Sequence, residues 1–149
     1  MKNHPPVLCL LLATLFSCQK GELAQVPANT YPQTWQLVEM RGQVPNVVQT
    51  GANLPWQEAY TFQADSTFTK TRQQDGHVAE AHGTFSYLNL SDGPYVVLTY
   101  AAPNSLIGAC TTEPKETLAV KADGTLSSTW QACDGPGLEY KKVQQSRVK

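Results

Sequence analysis

Turn-forming residues constrain this chain more than any other feature. Its ten glycines and ten prolines interrupt almost every window long enough for an amphipathic helix. Between the interruptions stand short alternating runs, the pattern of half-buried strands joined by hairpins. Thr34–Met40 opens the series. Trp56–Gln63 and Thr67–Gln73 flank a turn at Ala64-Asp65-Ser66, and Asp75-Gly76 leads into His77–Leu88. Asp92-Gly93-Pro94 precedes Tyr95–Tyr100, Asn104–Cys110 is a weaker candidate strand, and Asp134-Gly135-Pro136-Gly137 precedes Leu138–Val143. Thr117–Lys121 and Thr125–Gln131 enclose Ala122-Asp123-Gly124, the clearest hairpin. About eight or nine strands in sequence order predict an all-β fold, a single antiparallel up-and-down meander. A sheet of that size removes its exposed edges by closing into a barrel. The long connection Gly42–Pro55 is expected to cover one end as a lid or short helix.

Alternation assigns faces. Tyr60 pairs with Phe62 on one face, Phe85 with Tyr87, Leu118 with Val120, and Leu126 with Trp130. Strand Tyr95–Tyr100 is apolar on both faces. An eight-stranded barrel is filled by side chains or holds one small ligand. Trp35, Trp56, Tyr60, Phe62, Phe85, Tyr87 and Trp130 are therefore candidates to line an apolar site and, equally, to fill a core. In the clearest hairpin, residues whose numbers sum to about 246 stand opposite one another. Cys110 and Cys133 thus fall near each other at its base, and in an exported chain they read as one disulfide. Closing that loop stabilises by roughly 3 kcal/mol.

Export is indicated by the first residues. Lys2 and His4 precede an apolar run, Val7–Phe16, too short for a permanent membrane span. Leu15-Phe16-Ser17-Cys18 resembles the lipobox of bacterial lipoproteins, which implies cleavage before Cys18 and acylation of that cysteine. The expected layout is a signal peptide over 1–17, an acylated flexible tether over 18–33, a barrel over 34–143 and a tail over 144–149. Pro27 and Pro32 and the lack of any period mark the tether. Gln19-Lys20-Gly21-Glu22 resembles in part the surface-export signals of Bacteroidota lipoproteins. The expected address is the bacterial cell envelope, anchored to the outer membrane and facing the periplasm or the outside.

Thr34-Trp35-Gln36-Leu37, the run Tyr60–Phe68, Gly83-Thr84-Phe85-Ser86-Tyr87 and the run Leu118–Leu126 resemble, in this order, the lipocalin-like domains of small Bacteroidota lipoproteins. Those domains carry a first-strand tryptophan, a Tyr-x-Phe-x-x-Asp-Gly-Thr-Phe hairpin, a Gly-Thr-Tyr/Phe strand and late Asp-Gly hairpins. Ser66 stands where that hairpin has glycine, and Gln33 stands where true lipocalins place a glycine two residues before the tryptophan. The resemblance implies a lipocalin-like barrel that binds a small apolar or amphipathic ligand without altering it. The alternative is a filled barrel that contacts another envelope protein or a glycan.

Little else in the sequence suggests chemistry. Eleven Lys and Arg stand against twelve Asp and Glu, a balance unlike the basic face of a nucleic-acid binder. His77, Glu80 and His82 resemble a metal set, but strand alternation points His77 away from the other two. Asp65, Asp75, Asp92, Asp123 and Asp134 each sit in a turn signal, where aspartate bonds to nearby backbone. No nucleophile elbow or phosphate loop occurs. Glu113, Glu116 and Glu139 are the only candidates for paired acid–base work, and exposed glutamates are the ordinary case. The expectation is a monomeric binding protein without cofactor, metal or catalytic residues, whose partners are the membrane, through Cys18, and a small hydrophobic ligand.

Overall fold

The computed structural model describes residues 30–42 and 46–143. Nine strands follow one another: β1 (Gln33–Arg41), β2 (Val48–Thr50), β3 (Gln57–Phe62), β4 (Thr67–Gln74), β5 (His77–Leu90), β6 (Gly93–Tyr100), β7 (Lys115–Val120), β8 (Leu126–Ser128) and β9 (Gly137–Lys142). All pairings are antiparallel, and β1 also pairs with β9, so β1 and β3–β9 close an eight-stranded up-and-down barrel. β2 adds to the edge of β1 beyond β3, with Glu39 opposite Thr50. The β7–β8 register sets Leu118 against Ser128 and Val120 against Leu126, as the turn at Asp123-Gly124 requires.

Two expected elements differ. Asn104–Cys110 forms no strand; it belongs to the connection between β6 and β7, where Leu106 is buried. β8 stops at Ser128, and Trp130–Cys133 forms a single 3-10 turn, so Trp130 is not on a strand beside Leu126. Among its described residues, the 42–55 connection contains β2 and a short 3-10 helix over Gly51–Asn53, and Leu54 is buried in the core.

Up-and-down order sorts the connections. The β3–β4, β5–β6 and β7–β8 turns lie at one end, with the start of β1 and the end of β9. The β4–β5 turn, the long β6–β7 loop and the β8–β9 connection lie at the other, here termed the loop end. Even-numbered residues of β6 point inward: Val96, Leu98 and Tyr100 are buried, whereas Thr99 is exposed. The aromatic column Tyr60, Phe62, Phe68, Phe85 fills the middle, with centroids of Phe62 and Phe85 4.8 Å apart. Gly83 lets this column form, because a Cβ there would meet the Phe68 ring at 2.8 Å and the Thr99 carbonyl at 2.1 Å. Cys110 and Cys133 are joined, their Cα atoms 5.5 Å apart. The bond ties the β6–β7 loop to the 3-10 turn.

Candidate functional site

The aromatic residues proposed to line an apolar site are mostly core. Trp35, Tyr60, Phe62 and Phe85 are buried and packed together, and Trp56 and Trp130 are half-buried against them. Tyr87 departs from this pattern: β5 runs beyond the barrel wall, and Tyr87 is left 47 % exposed on it. The space bounded by Trp35, Phe62, Tyr87, Val96, Val120 and Leu126 amounts to about 20 Å³. That is room for roughly one water molecule. Cys18 and the residues proposed to form its signal and tether up to residue 29 lie outside the described residues.

The loop end contains what the sequence reading did not foresee. Glu58 on β3, Lys70 on β4 and Glu116 on β7 have fully buried side chains. Lys70 Nζ donates to Glu116 Oε1 at 3.0 Å and to the Leu106 carbonyl at 2.7 Å, and lies 3.1 Å from Glu58 Oε1. Glu58 Oε1 also accepts from the Tyr140 hydroxyl at 2.6 Å, and its Oε2 accepts from Arg72 Nε at 2.5 Å. Glu116 accepts from the Tyr100 hydroxyl and from the Gly108 amide, the latter at 3.0 Å. Two cations thus face two carboxylates, and every carboxylate oxygen is engaged. Such a group is tolerated in a core only when it is paired and hydrogen-bonded in this way.

The expectation that Glu116 is an exposed glutamate is therefore corrected: it is 1 % exposed. The signal that could have located the cluster was parity. Glu58 precedes Tyr60 by two, Lys70 follows Phe68 by two, and Glu116 precedes Leu118 by two, so each shares the face of an inward residue. Glu113, by contrast, is an exposed partner of Lys115 at 2.8 Å, and Glu139 opposes Glu39 across β1 and β9.

Burial first, and then the neighbouring carboxylates, hold the phenols of Tyr60, Tyr100 and Tyr140 well above their ordinary value. The Tyr60 hydroxyl has no partner of good geometry, although it lies close enough to Tyr100 and Tyr140 to draw their phenols slightly down. The β6–β7 loop lids the cluster. Gly108 sits under the Trp130 ring, where a Cβ would lie 2.8 Å from the indole and 2.9 Å from Glu116 Oε1. The loop is held through Leu106, Gly108 and the disulfide at once.

Beside the cluster a cleft of about 390 Å³ opens at the mouth, lined by Arg72, Gln74, Asp75, His77, Ala79, Ser105 and Leu106. Arg72 is its innermost cation, its guanidinium carbon 4.6 Å from the Trp56 ring centre. His82 lies elsewhere, on the outer face of β5. Its Nε2 is 2.9 Å from Glu80 and its Nδ1 3.1 Å from Thr69 Oγ1. Among the described residues, no three His, Cys, Asp or Glu side chains are grouped to hold a metal.

The fold and this cluster define a class: a closed antiparallel barrel whose interior is apolar at one end and plugged by a neutral charged network at the other. Compared with known protein families, curated proteins and solved structures, the chain matches none.

Proposed function

We propose that this is an exported protein, anchored to the bacterial envelope by acyl chains on Cys18, whose filled barrel presents its loop end to another envelope protein or a glycan. One observation carries the choice of a filled barrel over an internal apolar carrier: most residues that would line a ligand site pack on one another, and the space bordered by Trp35, Phe62 and Tyr87 amounts to about 20 Å³. The fully engaged carboxylates at the loop end favour a binding role over acid–base chemistry.

The test has two arms. A clickable fatty acid fed to cells exporting the full chain labels the protein, and Cys18→Ala removes the label; an unlabelled native protein would overturn the anchor. Photo-crosslinkers at Ser105 capture a partner, and those at Leu90, at the opposite end, do not. Native mass spectrometry of the purified protein shows no co-purifying lipid. A lipid adduct lost on denaturation would restore the apolar-carrier reading.

A further inference from the structure

The geometry points to the mouth cleft as a binding site for a small carboxylate, with Arg72 as the group that takes it. Arg72 is pinned on two sides. Its Nε donates to Glu58 at 2.5 Å, and its plane lies on Trp56 at 4.6 Å. Glu58 cannot also take the terminal nitrogens with its second oxygen, because Oε1 is committed to Lys70 and Tyr140. The Arg72 side chain is 13 % exposed, and its Nη2 is buried without an acceptor among the described residues. A fixed guanidinium with an unsatisfied terminal nitrogen, on the wall of a cleft, is the charge that an entering carboxylate would meet. It lines a cleft whose volume of about 390 Å³ falls in the range of small-molecule sites.

The walls narrow the class. Gln74, His77 and Ser105 offer hydrogen bonds, and Asp75 sets a negative charge in the same cleft as Arg72. Asp75 disfavours a multiply charged anion and favours a ligand that carries donors besides its carboxylate. A hydroxylated acid or an amino acid has that chemistry; an aliphatic fatty acid does not. The inference rests on the loop end being the working surface, but it is tested without any partner protein.

Gluconate, glutamate, glucose and inorganic phosphate are titrated into the full chain while the Arg72 Nε–H resonance is followed by NMR. Saturable shifts with gluconate or glutamate, absent with glucose, are expected. The choice between those two acids tells a sugar-like source from an amino-acid-like one. Arg72→Lys, which keeps the charge near Glu58, should weaken binding about tenfold or more through loss of the guanidinium's hydrogen bonding. Ala79→Trp, at the position paired with Arg72, fills the cleft and should abolish binding in a protein that remains folded. Equal responses to carboxylates and glucose, or binding that survives Ala79→Trp, would overturn the assignment. Phosphate binding equal to that of the carboxylates would do so too, reducing the site to a general anion contact. Failure of these titrations alongside crosslinks at Ser105 would remove this ligand and leave the proposed interaction role standing.

Discussion

Lys70 holds the barrel's polar end together, because it is the one cation shared by both buried carboxylates. Replacing it by Met removes its charge and leaves Glu116 with neutral donors only. The expected cost is about 3–5 kcal/mol, read as a lower urea midpoint at unchanged slope. Tyrosine hydroxyls grade the same network. Tyr140→Phe deletes a 2.6 Å bond to Glu58 and should cost about 1.5–3 kcal/mol. Tyr60→Phe removes a hydroxyl with no well-formed partner, so its urea midpoint should stay at or above that of the parent. A larger loss from Tyr60→Phe than from Tyr140→Phe would contradict this division of the cluster.

At the scale of elements, two turns and one cross-link are informative. Asp65 and Asp123 each accept from the backbone and hydroxyl of a threonine two residues on, at 3.0 and 2.7 Å in both turns. These bonds hold both carboxyls below their usual range. The turns differ at the next residue: Gly124 takes φ 79°, and Ser66 takes φ 66° in the region that penalises a side chain. Ser66→Gly should therefore stabilise by about 1 kcal/mol, seen as a raised melting temperature. The disulfide acts on the loop above the cluster. Converting both Cys110 and Cys133 to Ser should cost roughly 3 kcal/mol. It should also raise amide exchange across 101–114 before it does so in β3 or β4. Uniform acceleration across the barrel would show that the bond supports the whole fold rather than this lid.

For the whole molecule, the consequence of the tyrosine cluster is alkaline sensitivity. The folded-state phenols of Tyr60, Tyr100 and Tyr140 lie above their unfolded value. Stability is thus fully present below an unfolded phenol pKa of about 10 and is lost as pH rises beyond it, because only the unfolded chain releases the protons. Phenolate absorbance from these residues should appear in one step, together with loss of near-ultraviolet ellipticity. Gradual titration of all six tyrosines in a protein that stays folded would show the hydroxyls to be accessible. In acid, the lowered carboxyls of Asp65 and Asp123 act in the opposite direction. Their contribution is present above the ordinary carboxylate range and fades as pH falls through it.

What the sequence determined by itself was local and periodic. Asp-Gly turns and period-two runs established eight of the strands, their antiparallel order and the β7–β8 register. Together with that register, the turn at Asp123-Gly124 placed Cys110 near Cys133. Those features are legible because each depends on a few neighbouring residues and on the fixed geometry of a pleated strand. Tertiary structure alone decided the rest. Parity set Glu58, Lys70 and Glu116 on the inward face, but only their pairing across the barrel overrode the ordinary preference of charged residues for solvent. Only closure of β1 on β9 gathered β3, β4, β7 and β9 closely enough for their charges to cancel. Closure also ran β5 past the wall, so that Tyr87 borders the small apolar space yet stays exposed. It left Arg72 at the mouth with a buried terminal nitrogen unclaimed among the described residues, a property of eight strands together and of no single one.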